Sequence, residues 1–178
     1  MAIVRRDREV AKPRGGLLKF TEWKQATLEK MLQDEELMKL LIYHTEDWDS
    51  KPAVRSEQRE GLIGHQIFTH SFIDELAKEK KSYIGVSLSH FAKDEGFRRF
   101  SNRYIMGYLY FHILVDLGIM ETNTGSRADL ILGRIYEIFQ DNTTLGMGEM
   151  KVETVIERWH DKGTHGGYVM GFRLTDLD

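Results

Sequence analysis

One stretch limits what this chain can fold into more than any other: Asn102–Val115, NRYIMGYLYFHILV. Its fourteen residues include no Pro, Asp or Glu. Ile, Val, Tyr and Phe dominate it, the side chains that suit a pleated surface. Alternation sorts it into two faces. Tyr104, Met106, Tyr108, Tyr110, His112 and Leu114 share one, and Ile105, Gly107, Leu109, Phe111, Ile113 and Val115 share the other. The second face, almost purely apolar, is expected to meet a core. The first, aromatic and amphipathic, is expected to meet a helix or another subunit. Periodicity alone leaves a buried helix open. The β-branched and aromatic density, with Gly107 mid-run, favours a strand. At about 3.4 Å per residue that strand spans ~45 Å, against a usual five or six residues. A strand so long in a small domain projects beyond its own core, and projecting hairpins bind partners.

A second strand precedes it. In YIGVSLSHF, Tyr83, Gly85, Ser87, Ser89 and Phe91 alternate with Ile84, Val86, Leu88 and His90, leaving one side mostly apolar. The polar connector AKDEGFRRFS separates the two runs, so they read as an antiparallel hairpin. Its tip gathers Lys93, Phe97, Arg98, Arg99, Phe100 and Arg103. Three roles fit these residues: docking on a protein partner, stacking on or neutralising nucleic acid, and a solvated loop anchored by two Phe side chains. Exposed Phe and Arg are enriched at interface anchors, which places docking first.

Helices are expected elsewhere. Residues 1–19 are charged, broken by Pro13, Gly15 and Gly16, and read either as a flexible tail or as an extended arm that orders on a neighbour through Ile3, Val4 and Val10. Arg5, Arg6, Arg8, Lys12 and Arg14 are diluted by Asp7 and Glu9, so DNA contact is the weaker reading. Thr21 sits where a cap belongs, opening a helix near 21–32, and Asp34 opens another near 34–43. Residues 51–80, helical or mixed, form a candidate insertion. Ser126 with Asp129 resembles a capping box before Ala128, Ile131, Leu132, Ile135, Ile138 and Phe139, the clearest amphipathic helix. Met150–Ile156 and Tyr168–Thr175 read as strands joined by a turn, with Tyr168, Met170, Phe172 and Leu174 on one face.

These elements assemble as α–β–β–α–β–β. The expected fold is α+β, an antiparallel sheet of two hairpins, one of them long, with helices on one face. Residues 20–178 form a single domain behind the arm at 1–19.

Chemistry has few places to start. The chain has no Cys, which removes disulfides and thiol catalysis and fits a reducing cytosol. Its net charge of −3 carries no global basic signature for nucleic acid. With no long apolar run and no signal peptide at Met1, the expectation is a soluble product of the cytoplasm without a membrane partner. No nucleophile elbow, phosphate loop, HExxH or CxxC occurs. Glu46, Asp47 and Asp49 lack a metal-loop spacing, His65 and His70 are not at helix-face spacing, and His160, Asp161 and His165 in a Gly-rich turn are a weak metal set. No cofactor is expected. His112, His160 and His165 are the remaining suspects for an enzyme built on a pocket between sheet and helices.

Three features together resemble the tail-terminator family of tailed bacteriophages, also called tail-to-head joining or tail-completion proteins. They are the short helix with DEELMKLLIYH, the strand pair YIGVSLSHF and NRYIMGYLYFHILV, and RADLILGRIYEIF followed by LGMGEMKVETV and GGYVMGFRL. The resemblance covers about residues 20–175 and rests on element order and hydrophobic pattern. The segment 51–80 is longer than the family's usual connector, and the arm is extra. The resemblance implies a structural virion protein, not an enzyme. It implies a ring of this chain, usually a hexamer, at the head-proximal end of the tail. That ring ends tail-tube polymerisation, meets the tail tube protein and the head-closure or connector protein, and lets DNA pass its lumen unread. It also implies that the tip at Lys93–Arg103 docks on a neighbour or on the tail tube. Another neck component, or a small-ligand enzyme domain, are the competing expectations.

Overall fold

Along the chain, helices α1 (Phe20–Gln33), α2 (Glu35–Ile42) and α3 (Ser56–Glu60) precede a short strand β1 (Ile67–Phe68) and the long strands β2 (Ser82–Lys93) and β3 (Tyr104–Asp116). A small ladder of β4 (Glu121–Thr122) and β5 (Gly125–Ser126) leads into helix α4 (Arg127–Phe139), and β6 (Lys151–Trp159) and β7 (His165–Leu177) close the domain. The structure is a computed structural model and describes residues 19–71, 73, 77–93, 104–159 and 163–177.

The long run is a strand of thirteen residues, as its β-branched and aromatic content dictates. It lies at the centre of a five-stranded sheet of order β1-β2-β3-β7-β6. β3 pairs antiparallel with β2 on one side and with β7 on the other, and β7 pairs antiparallel with β6. The sheet is α+β in context but mixed, which corrects the all-antiparallel expectation: β1 runs parallel to β2, matching Ile67 with Ile84 and Phe68 with Gly85. The order expected from sequence also lacked α3, β1 and the β4–β5 ladder. Turn-forming residues break 51–80 into pieces too short for a periodicity to show.

The two faces of β3 separate as alternation requires. Leu109, Phe111, Ile113 and Val115 are fully buried against the helices, with Phe111 and Phe139 of α4 4.8 Å apart between ring centres. Met170, Phe172 and Leu174 of β7 join them. Each such side chain contributes roughly 1.5–3 kcal/mol by leaving water. On the other face Tyr108, Tyr110 and His112 are only half-buried. A smaller cluster of Phe68, Ile73, Ala77, Tyr83 and Leu114 covers the end of that face nearest β1.

Strict alternation fails in β2. The β2–β3 register shifts between Ser89 and Ala92, and His90 adopts φ 56°. This bulge exchanges the faces beyond it. Phe91, expected beside Ser87 and Ser89, turns to the helices and packs on Phe20 (4.6 Å) and Trp23 (5.9 Å). His90, expected on the apolar side, meets Tyr108 and Tyr110 on the open one. Phe91 also explains Gly107, where an added Cβ would come within 2.6 Å of its ring.

Helix α2 is held at both ends by α4. Its cap is Asp34, whose carboxylate accepts from the Leu37 amide at 2.7 Å, as expected. The same carboxylate binds the Arg134 guanidinium, which also reaches Glu36 and Glu137. At the other end Arg127, fully buried, donates to the carbonyls of Leu40 (2.9 Å), Tyr43 (2.9 Å) and Thr45 (2.8 Å), and to Ile119 (2.9 Å). A helix C-terminus leaves such carbonyls without internal partners. Arg127 supplies them, along with the positive charge that this end of the helix dipole favours. Burial lowers its pKa from the ordinary arginine value.

Two expected caps are corrected. Thr21 lies inside α1, which starts at Phe20. Ser126 stands at the N-cap of α4 without a side-chain capping bond. Asp129, the supposed partner in that box, instead accepts from the Tyr168 hydroxyl at 2.7 Å, tying α4 to β7.

Candidate functional site

Among the described residues, the margin of the sheet on the β6 side is uncovered. β6 is the last strand on its side, and among the described residues no strand pairs with its outer edge. An edge strand of nine residues presents a row of backbone donors and acceptors to any chain that can lie beside it. Its protection is concentrated at the two ends, where Lys151, Glu153, Glu157 and Arg158 carry charge and a register shift falls between Val152 and Thr154, but the strand holds no Pro and is not short. It carries apolar weight as well. Val155, Ile156 and Trp159 are 49%, 57% and 57% exposed. Val155 is matched with the core residue Met170, and Ile156 with Val169 on the opposite face, so both sides of the strand are greasy. Trp159 leans over Gly166, where a Cβ would come within 2.8 Å of the indole.

The half-buried face of the sheet, which carries no helix among the described residues, adjoins this edge. Tyr108 and Tyr110 stack at 5.7 Å, with the Tyr110 ring lying over Gly171. A hydrogen bond with Glu153 on β6 raises the Tyr108 pKa above its ordinary value. Ser87 Oγ lies 3.0 Å from His112 Nε2. That contact has the spacing of a nucleophile and its base, but it lies on an open sheet face. Neither the cleft of about 440 Å3 beside Arg134 nor the one of about 570 Å3 beside His44 includes either residue.

The sequence suspects are scattered. His165, expected in a turn, is the first residue of β7 and is buried: its ring contacts the Thr164 hydroxyl at 3.0 Å and the Glu79 carbonyl at 3.3 Å. In register it stands opposite Asp116, four residues along β3 from His112, so the two histidines do not form one site. His160 lies outside the described residues. So do Phe97, Arg98, Arg99, Phe100 and Arg103 of the docking tip, while Lys93 is the last residue of β2, paired with Ile105. His65 and His70 are exposed, Asp47 pairs with Lys51 at 2.8 Å, and among the described residues no cluster of three potential ligands is placed to hold a metal. The glycines of LGMGEM have a structural use. Gly146 and Gly148 take φ 72° and 74°, reversing the chain around Met147, which is fully buried.

Sequence reasoning missed the β6 edge and the Arg127 clamp. The adjacent pair Val155–Ile156 in KVETVIERW was the available sign of the first, since one of two neighbouring apolar residues on a strand must face outward. Arg127 had no sign: an arginine opening a helix reads as solvated.

No curated protein matches the chain. A protein-family model described as YomW matches residues 34–174, from the cap of α2 to the buried half of β7. The chain therefore belongs to the YomW family, which is named after the product of a Bacillus phage region and points to a phage-derived protein.

Proposed function

We propose that this chain is a structural protein of a bacteriophage particle that works by self-association: a tail terminator. It forms a ring, of six copies by the resemblance above, at the head-proximal end of the tail. The ring ends tube growth and presents its far surface to a head-closure or connector protein, and DNA crosses the lumen without being read. The observation that carries this reading is the outer edge of β6, beside which no strand lies among the described residues, with half-exposed Val155, Ile156 and Trp159. A long edge with exposed apolar side chains is a ready template for pairing with another chain. The phage-region family name and a near-neutral chain, which suits a wall that DNA must slide past, support it. The tip at Lys93–Arg103 is the proposed contact with the tail tube.

Electron microscopy of tails made with and without this chain tests the role. Over-length, uncapped tubes are expected in its absence. Tails of normal length joined to heads would overturn it. Deleting residues 94–100 should leave the fold intact and abolish docking on the tube. The Ser87–His112 contact favours the rival reading, an enzyme domain. A fluorophosphonate probe that labels Ser87, and fails to label His112→Ala, would establish that reading instead.

A further inference from the structure

Both lateral margins of the sheet are open among the described residues, and they are unlike. β6 offers Lys151–Trp159, and β2 offers 86–93, beyond its two pairs with β1. Three successive antiparallel pairings, β2 with β3, β3 with β7 and β7 with β6, leave β6 antiparallel to β2. A second copy placed beside the first, with the sheet continuing and the helices on the same side, therefore brings its β2 against β6 in the antiparallel sense. We infer that copies of this chain join in this way, β6 of one copy pairing with residues 86–93 of the next. The inference rests on the self-associating role proposed above and names the surfaces that perform it.

The pairing is heterologous, so each added copy leaves one edge of each kind free until a rotation closes the set into a ring. It satisfies two rows of backbone groups at once. The side chains agree with it. Val155 on the helix side of β6 meets the side of β2 that carries Leu88, and Ile156 meets the side that carries Ser87. Charge separates this partner from the obvious competitor, a second β6. Self-pairing centred on Val155 sets Glu153 against Glu157 of the other copy twice, and like charges directly opposite destabilise a ladder. β2 carries no Asp or Glu and ends in Lys93, so it offers β6 no such conflict.

The absence of cysteine makes the test direct. The double variant Ile156→Cys with Ser87→Cys is treated with a short bismaleimide, both as purified protein at high concentration and in phage lysate. The expected result is a ladder on denaturing gels from dimer up to the closed ring, with each single variant staying monomeric. A dimer from Ile156→Cys alone means that β6 pairs with itself and overturns the inference. So does a bare monomer band from the double variant in both preparations. Val155→Cys with Leu88→Cys, on the helix side, repeats the test if circular dichroism shows that the first pair fails to fold. The two proposals fail separately. A ladder with tails of normal length in the chain's absence removes the tail role and keeps the pairing. Over-length tails without a ladder remove the pairing and keep the role.

Discussion

Helix α2 and strand β6 treat their backbones in opposite ways. At α2 the ends are provided for: Asp34 caps the start, Arg134 holds Asp34, and Arg127 gathers carbonyls at the finish. At β6 a full row of backbone groups has no strand beside it among the described residues, with exposed apolar side chains on either face. A chain that spends a buried arginine on four carbonyls is not careless with polar groups. On the proposed reading the β6 edge is kept open for another copy, whereas α2 is sealed for the stability of one copy. Substitutions that strike the two regions should therefore separate stability from assembly.

The largest effect on stability belongs to the core beneath the sheet. Phe111→Ala should cost about 3–5 kcal/mol in urea unfolding, because the ring is enclosed by Phe139 and Phe172 and its cavity cannot collapse. Tyr110→Ala, one residue away on the half-buried face, should cost far less. Equal losses would mean that the open face is covered. Next comes Arg127→Met, which keeps the bulk and removes every donor. It leaves several buried carbonyls without partners and should cost roughly 3 kcal/mol, with Arg127→Lys recovering part of it. Were Arg127→Met neutral, the clamp on α2 would be incidental.

How much of this was legible beforehand follows from range. The β3 run, its two faces, the Asp34 cap and the amphipathic α4 are local patterns, and each was readable from neighbours in sequence. The exchange of Phe91 and His90 was not, because a bulge depends on how two strands are matched rather than on either alone. The Arg127 clamp joins residues 82 to 87 positions apart in sequence, and such distances leave no periodicity. The β6 edge escaped the sequence reading for the same reason, and the docking tip lies almost wholly outside the described residues. Exposed charge and aromatics at 93–103 are visible in a string, whereas an unpaired edge exists only once the order β1-β2-β3-β7-β6 is known.

Arg134 is the milder counterpart of Arg127. It is partly exposed and its partners are carboxylates rather than carbonyls. Solvent screens such pairs, so Arg134→Ala should cost about 1 kcal/mol and less in high salt. Insensitivity to salt would show that packing, not charge, is lost. The Tyr168–Asp129 bond that joins α4 to β7 contributes in a defined pH window. The carboxylate beside it pushes the phenol up to about 12 from the ordinary 10.0. A raised pKa in the folded state gives stability that is complete below pH 10 and is lost as pH rises through 12. Alkaline unfolding should therefore steepen across that range in the natural chain and not in Tyr168→Phe.

The smallest expected change in stability is the one that decides the contrast. Ile156→Lys places a charge at a position already 57% exposed, so the free energy of unfolding of one copy should move by no more than about 0.5 kcal/mol. Its effect on association should be large, since a lysine on an edge strand is a common means of refusing a neighbouring strand. Sedimentation at a range of concentrations reads the second quantity and urea unfolding the first. A variant that folds normally and no longer assembles identifies the edge as reserved for another copy. A variant that loses several kcal/mol while still a monomer shows that the edge is covered within one chain, and β6 would then be sealed like α2 rather than its opposite.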